Sequence, residues 1–112
     1  MSKRAFEGIK VDDSIVIPEG CVAISEGAFM RATVKTIVLP STISYLSGSC
    51  FLSANIKNLI FHGTRPPRKY GYWEFMYADI KHIYVPDESI EAYRSANLAE
   101  WLIFTPLSEY HP

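Results

Sequence analysis

The sequence repeats itself every 22 to 24 residues. A short apolar segment, Ile15-Val16-Ile17-Pro18, returns three times along the chain, at offsets of 22, 22 and 24 residues. Its copies are Ile37-Val38-Leu39-Pro40, Leu59-Ile60-Phe61-His62 and Ile83-Tyr84-Val85-Pro86. A unit of this length cannot bury its apolar face alone, so successive units stack and share one continuous core. The period therefore predicts a solenoid.

Other residue types keep the same register. A phenylalanine, an alanine, a lysine and a small polar residue recur once per repeat: Phe29, Phe51 and Phe75; Ala32, Ala54 and Ala78; Lys35, Lys57 and Lys81; Thr33, Asn55 and Asp79. We interpret the phenylalanine as a plug between layers and the alanine as a site where backbones crowd. The small polar residue is expected in a bend before the next strand, where its side chain can bond free backbone groups.

Each repeat divides into a strand and a return segment. The strands are predicted at residues 14–17, 36–39, 58–61 and 82–85, where β-branched residues concentrate. Three of the four segments stop at a proline, which cannot donate a ladder hydrogen bond and so marks a strand end. Successive strands are expected to stack in parallel, and short helical or irregular turns form the opposite side.

The whole chain, residues 1–112, is predicted to form a single domain with about four coils. Residues 1–11 do not fit the pattern and are predicted to be an N-terminal cap, residues 12–86 hold the repeats, and residues 87–112 form a C-terminal cap. Within that cap a helix is predicted from Asp87, as N-cap, to Trp101, followed by an extended segment at 102–107. The expected apolar face of the helix consists of Ile90, Tyr93, Ala96, Leu98 and Trp101.

Charge and composition exclude several classes of function. The net charge is −1, whereas a non-specific binder of nucleic acid or anionic membranes needs a basic excess. No apolar run approaches the roughly 18 residues of a membrane span, and no secretory signal follows Met1. The sequence therefore predicts no nucleic-acid partner, no membrane and a cytoplasmic or virion-associated location. Cys21 and Cys50 are interpreted as small core residues, with a disulfide as the weaker alternative.

The repeats resemble the BspA-type, or Treponema pallidum-type, leucine-rich repeats. The family pattern is an Ile-x-Leu-Pro strand, a Val/Ile-x-x-Ile segment and an Ala-Phe plug. It stands here as Ile37-Val38-Leu39-Pro40, Ile43-Ser44-Tyr45-Leu46 and Cys50-Phe51, and again in Ala28-Phe29. The end of the chain is more specific: Thr64-Arg65-Pro66-Pro67 is followed by Tyr84-Val85-Pro86 and then by Ala92-Tyr93 and Trp101. The resemblance covers residues 13–105 and implies an α/β leucine-rich-repeat solenoid.

The resemblance also implies a non-enzymatic role. Members of this family are common in gut and oral Bacteroidetes and in some protists, and most are secreted or surface proteins implicated in adhesion and protein binding. Here the missing signal and the short array weaken the interpretation as a surface adhesin and leave room for an intracellular or phage-encoded protein. We predict a non-enzymatic protein interaction module with a protein partner or self-association. The alternative is a structural accessory subunit of a larger assembly such as a phage virion, and a weaker alternative is glycan binding.

The outer face of the predicted sheet is the first candidate surface. If alternate strand residues face the core, an apolar row points outward beside a polar one. The apolar row consists of Val16, Val38, Ile60 and Tyr84, and the polar row of Ser14, Thr36, Asn58 and His82. A contiguous apolar row often marks an interface. Alternatively, β-branched residues merely favour strands there, or the caps cover the row.

The loop at residues 65–73 is the second candidate surface. It combines the basic residues Arg65, Arg68 and Lys69 with Tyr70, Tyr72 and Trp73. Such a mixture occurs in nucleic-acid, glycan and protein interfaces. We favour the simpler interpretation, in which the loop is solvated and its aromatic rings cap the core.

No pattern in the sequence points to catalysis or to a cofactor. His62, His82 and His111 occupy unrelated positions, and the repeat places no serine, cysteine or carboxylate beside them as an activated nucleophile. There is no glycine-rich phosphate loop, and two cysteines do not make a zinc site. We therefore predict no enzyme activity, no metal and no cofactor.

Overall fold

A computed structural model describes all 112 residues and shows a solenoid with two parallel sheets. The larger sheet has the strand order β1-β3-β5-β7-β8, and the smaller one the order β2-β4-β6. The strands are β1 (Lys10–Val16), β2 (Ala23–Ile24), β3 (Thr33–Leu39), β4 (Tyr45–Leu46), β5 (Asn55–Phe61), β6 (Arg68–Lys69), β7 (Asp79–Val85) and β8 (Phe104–Pro106). One α-helix, α1 (Ile90–Ser95), and two 3-10 turns, Asp87–Ser89 and Leu107–Glu109, lie near the C-terminus.

The strand register confirms the sequence period. Ile15 pairs with Ile37, Ile37 with Leu59, and Leu59 with Ile83, at the offsets of 22, 22 and 24 residues. All four members of this register position are buried or packed against the core. The predicted parallel solenoid is therefore confirmed.

The strands of the larger sheet begin three or four residues earlier than predicted. The prediction that Thr33, Asn55 and Asp79 occupy a bend is wrong, because these residues begin β3, β5 and β7. Val34 and Ile56, one residue later in their strands, are buried in the core and extend the apolar face beyond the segment recognised from the sequence. Instead of bonding backbone groups, the carboxylate of Asp79 pairs with the Lys81 ammonium at 3.1 Å.

The recurring phenylalanines form a stacked column, as predicted. The ring centroids of Phe29 and Phe51 lie 5.7 Å apart, and those of Phe51 and Phe75 lie 5.4 Å apart, with nearly parallel planes. Offset stacking of this kind adds favourable ring–ring energy to the burial of large apolar side chains. The column runs along the solenoid axis and fixes the separation of the layers.

The N-terminal segment continues the repeat, contrary to the expectation that residues 1–11 fall outside it. Phe6 stacks on Phe29 with ring centroids 5.0 Å apart. The N–H of Phe6 donates to the Ala28 carbonyl at 2.8 Å, just as the N–H of Phe29 donates to the Cys50 carbonyl. The pair Ala5-Phe6 is a copy of Ala28-Phe29, but its spacing of 23 residues and the two-residue bulge in β1 break the 22-residue register. The first turn thus covers the core as a partial coil.

The C-terminal segment differs in detail from the predicted helix. The α-helix is only six residues long and ends before Asn97, whose positive φ of 58° cannot continue it. Asp87 does not act as an N-cap; its carboxylate accepts a hydrogen bond from the Ser108 N–H at 3.0 Å. Trp101 is exposed rather than part of the apolar face, whereas Tyr93 and Leu98 are buried in the core. The predicted extended segment contains β8, which pairs with the C-terminal end of β7.

Both cysteines are free thiols. Cys50 is fully buried next to the phenylalanine column, and Cys21 is half-buried and packs against the core. Their interpretation as small core residues is confirmed, and the alternative of a disulfide is wrong. Burial, and secondarily the negative charge of Glu74, raises the pKa of the Cys50 thiol. The thiol is therefore protonated and unreactive at neutral pH.

Candidate functional site

The apolar row on the outer sheet face is not the continuous exposed surface that we expected. Val16 is 64% exposed, but Ile60 is only 3% exposed, although it lies outside the core cluster. Ile60 stands between Val38 and Tyr84 in the strand register, and both of these side chains are half-buried. Tyr110 from the C-terminal tail folds over Tyr84, with ring centroids 5.0 Å apart. The row is therefore partly covered at its C-terminal end.

The neighbouring polar row is also partly buried. Thr36 and Asn58 are buried, and the Asn58 side-chain amide donates to the Thr36 hydroxyl at 3.3 Å. The two side chains satisfy each other inside the sheet, where unpaired polar groups would be costly. Ser14 and His82, at the two ends of this row, remain exposed. The expectation that the whole polar row faces a partner is thus wrong for its two central members.

The loop at residues 65–73 is exposed, and its aromatic rings do not cap the core. Tyr72 is 80% exposed and Trp73 is 60% exposed. Tyr70, also exposed, makes an edge contact with Tyr45 of the preceding coil, with centroids 5.7 Å apart. Arg65 and Arg68 are exposed, and neither forms an ion pair. The interpretation of these aromatics as a cover for the core is therefore wrong, because the phenylalanine column and the C-terminal segment fill that role.

Backbone hydrogen bonds hold this exposed loop in a defined place. The N–H groups of Arg68 and Tyr70 donate to the carbonyls of Ser44 and Leu46 at 2.9 and 2.8 Å. A Cβ at Gly71 would lie 2.8 Å from the Cα of Gly48, so the two backbones pack more closely than any other residue permits. The Glu74 carboxylate accepts the Gly71 N–H at 2.9 Å. The loop thus presents its side chains from a rigid base.

A broad groove of about 1010 Å³ lies beside these rings on the side of the smaller sheet. We call it the aromatic groove. Its lining combines Tyr45, Tyr70, Tyr72 and Trp73 with small residues of the preceding coils, and the latter include Ser25, Ser47, Gly48 and Ser49. Large rings beside a few polar groups are typical of a surface that buries a partner and orients it. The aromatic groove is the candidate functional site.

Two exposed aromatic residues, Trp73 of the groove and Tyr77, adopt a backbone conformation that favours glycine. Every turn of the phenylalanine column contains two positive-φ residues four positions apart, and the pairs are 4 and 8, 27 and 31, 49 and 53, and 73 and 77. In the last turn these positions hold Trp73 and Tyr77, with φ of 64° and 58°. A bulky side chain in this region costs about 1–2 kcal/mol relative to the right-handed conformation. The equivalent positions of the other turns hold glycine, serine or arginine, so only the last turn places exposed aromatic rings there.

Replacing Tyr77 with glycine is expected to stabilise the fold. Tyr77 is 82% exposed, so the ring gives up little packing, and glycine removes the strain. We expect the free energy of unfolding, measured with urea, to rise by about 0.5–1 kcal/mol. This value already allows for the larger conformational entropy of glycine in the unfolded chain. Ser53→Gly, at the equivalent position of the preceding turn, is the matched control and should gain a similar amount. A loss of stability in Tyr77→Gly alone would show that the ring supports the fold.

The titratable groups do not assemble into a reactive cluster. No three side chains of the His, Cys, Asp and Glu types come close enough to hold a metal ion together. A side-chain hydrogen bond with Ser108 lowers the pKa of Asp87, and burial raises the pKa of Tyr93, whose hydroxyl donates to the Gly63 carbonyl at 2.7 Å. Both groups hold the C-terminal segment in place, and neither faces the aromatic groove.

The comparison with protein families agrees with the repeat pattern. Six copies of the model for the BspA type leucine rich repeat region match residues 1–99. The chain therefore belongs to the BspA-type leucine-rich-repeat family, as its repeats and its Thr-x-Pro-Pro loop predicted. No curated protein matches the sequence. Leucine-rich-repeat domains generally mediate protein interactions and are typically non-enzymatic. None of the helices has the length and apolar character needed to cross a membrane.

The sequence pattern identified Tyr70, Tyr72 and Trp73 but missed the other residues that line the groove. Arg65 and Arg68, from the same predicted loop, lie outside the groove lining. Tyr45 occupies a variable position within its repeat, and only the parallel pairing of β4 with β6 brings it to Tyr70. Tyr77 was missed because nothing about a tyrosine in the sequence indicates that its backbone adopts a positive φ. The recurrence of glycine or small polar residues at positions 8, 27, 49 and 53 was the available signal.

Proposed function

We propose that the protein is a non-enzymatic interaction module that binds a protein partner through the aromatic groove. The observation that carries the proposal is the exposure of Tyr70, Tyr72 and Trp73 on a rigid base beside the unpaired Arg68. Tyrosine, tryptophan and arginine are the residues enriched at the energetic centres of protein interfaces. A preformed surface also loses little conformational entropy on binding.

The outer sheet face contributes to partner binding only in part. Val16, Val38, Tyr84 and His82 retain some exposure and form a secondary contact surface in this proposal, together with Arg65. Ile60, Thr36 and Asn58 support that surface from beneath. Lysine at Ile60 would bury an ammonium, so Val16 is the better position for testing the face.

The test compares the wild type with the double variant Tyr72→Ala/Trp73→Gly. Glycine suits the positive φ of residue 73, so the variant is expected to fold at least as stably as the wild type. Affinity capture from the source lysate should recover a stoichiometric partner with the wild type, and the variant should bind that partner at least about 30-fold more weakly. Val16→Ser, in the secondary contact surface, should weaken binding far less than the double variant does. Equal binding by wild type and double variant contradicts the proposal.

Glycan binding is the second candidate for the same groove. The rings lie beside hydroxyl groups of Ser25, Ser47 and Ser49 and the carboxylate of Glu26, which suit a polar ligand with apolar faces. A glycan array probed with the wild type and with Tyr72→Ala/Trp73→Gly separates this function from protein binding. If the wild type, the double variant and Val16→Ser are all recovered equally well and only within a large particle, the protein would instead be a structural subunit of an assembly.

A further inference from the structure

A basic cleft of about 670 Å³ lies between the turn that follows β3 and the loop that follows β5. Residues from the segments 41–45 and 62–68 line it, and we call it the arginine cleft. Its basic residues are His62, Arg65 and Arg68, and no carboxylate belongs to the lining. Neither arginine forms an ion pair. The cleft therefore carries positive charge that no side chain of the protein neutralises.

The preceding junction, between the turns that follow β1 and β3, contains its own acid. There the carboxylate of Glu19 accepts hydrogen bonds from the Ser41 N–H at 3.1 Å and from the Ser41 hydroxyl at 2.9 Å. One period of 22 residues later, Ser41 stands in the place of Glu19, and Gly63 stands in the place of Ser41. The junction that holds the arginine cleft thus combines two arginines with no acid.

Hydrogen bonds hold the backbone of the arginine cleft in place. The N–H of Arg68 donates to the Ser44 carbonyl at 2.9 Å and so joins the two walls of the cleft. Behind the loop, the Ser89 hydroxyl donates to the Thr64 carbonyl at 2.8 Å. Two prolines, residues 66 and 67, restrict the backbone between the two arginines. Because the site is preformed, a ligand loses less free energy to the ordering of the loop.

The donors of the cleft suit a phosphate group. Each arginine can donate two parallel hydrogen bonds to neighbouring oxygens of a phosphate, and these charge-assisted bonds are stronger than neutral ones. The hydroxyl of Thr64 and a ring N–H of His62 add further donors. The three terminal oxygens of a phosphate monoester offer acceptors for this set, whereas a carboxylate has only two oxygens.

The rest of the lining suits an organic group attached to the phosphate. Ile43, Tyr45 and Pro66 contribute apolar surface to the cleft. Its volume of about 670 Å³ lies within the range of small-molecule sites and leaves room beside a phosphate. A free phosphate ion would leave this apolar surface uncovered.

We propose that the arginine cleft binds a phosphate monoester. The phosphate lies between Arg65 and Arg68, and its organic group packs against Tyr45 and Pro66. Tyr45 also lines the aromatic groove, but the proposal does not depend on binding there. A sulfate ester has the same tetrahedral shape but less negative charge than a phosphate monoester at neutral pH, so it should bind more weakly.

Titration with phenyl phosphate, followed by two-dimensional NMR of the isotope-labelled protein, tests the proposal. We expect saturable binding with a Kd of about 1 mM or below, and the largest shift changes within residues 41–45 and 62–68. The double variant Arg65→Gln/Arg68→Gln should bind phenyl phosphate at least about tenfold more weakly, because it lacks the charged donors. Both side chains are exposed, so the variant should fold like the wild type, which circular dichroism checks.

The single variants Arg68→Gln and Lys69→Gln form a matched pair. Each removes one positive charge from β6, but Lys69 does not line the arginine cleft. Arg68→Gln should weaken the binding of phenyl phosphate at least about threefold, whereas Lys69→Gln should bind it like the wild type. An equal loss in the two variants overturns the proposal, because binding would then follow the overall charge.

Two further results would also overturn the proposal. The first is a wild type that shows no saturable shift changes with phenyl phosphate up to about 10 mM, or a double arginine variant that binds as tightly as the wild type. The second is tighter binding of phenyl sulfate than of phenyl phosphate, which would assign the cleft to sulfate esters instead.

Discussion

Replacing Phe51 with alanine is expected to destabilise the protein by about 3–5 kcal/mol. Phe51 is fully buried, and it stacks between Phe29 and Phe75 in the middle of the column. Its removal leaves a cavity between two rings. Backbone hydrogen bonds between successive turns, such as Phe51 N–H to the Glu74 carbonyl, fix the spacing of these rings, so the site cannot collapse. Since domains of this size are stable by only about 5–15 kcal/mol, the variant should lose a large share of its free energy of unfolding.

Urea unfolding followed by circular dichroism measures this effect. Phe51→Leu is the control, since it conserves most of the apolar volume and should cost less than about 1.5 kcal/mol. In a solenoid each coil contacts only its neighbours, so a break in the middle of the column is expected to lower cooperativity as well as stability. A Phe51→Ala loss below about 1 kcal/mol would show that the column is not the main source of stability.

Replacing Tyr93 with alanine is expected to cost a similar amount, about 3–5 kcal/mol, and to release the C-terminal segment. The ring of Tyr93 contacts Phe61 and Phe104, with centroids 5.3 and 5.7 Å away. Its hydroxyl reaches the carbonyl of Gly63 at 2.7 Å, and thus ties α1 to the start of the loop that carries the aromatic groove. Limited proteolysis should cleave the variant within residues 96–112 before the repeats.

Tyr93→Phe separates the contribution of the ring to stability from that of the hydroxyl group. This variant keeps the ring but leaves a buried carbonyl unpaired, and we expect a loss of about 1–3 kcal/mol. If Tyr93→Phe proves as unstable as Tyr93→Ala, the hydrogen bond rather than the ring holds the segment. If both variants resist proteolysis like the wild type, other contacts, such as the Asp87 carboxylate with the Ser108 N–H, hold it.

The repeat period and the recurring phenylalanine were sufficient to predict the solenoid and its stacked column. The strand starts were predicted less well, because Val34 and Ile56 are separated from the apolar segment by polar residues. The turn that contains Phe6 was not recognised as part of the repeat. Its Ala-Phe pair stands 23 rather than 22 residues before the next one, and a single copy at a shifted spacing cannot be distinguished from chance. The aromatic loop was identified as a candidate, but its exposure could not be predicted, because a sequence does not say which side chains already fill the core.

The sequence by itself determined the stacking of coils, since apolar residues that recur every 22 to 24 positions can be buried only by neighbouring copies of themselves. Only the tertiary structure decided which surfaces remain free. Ile60, Thr36 and Asn58 are buried by their neighbours, whereas Tyr72, Trp73 and Tyr77 stay in solvent. Which side chains stay exposed depends on how the terminal segments fold over the first and last coils. Such long-range packing produces no periodic pattern in the sequence.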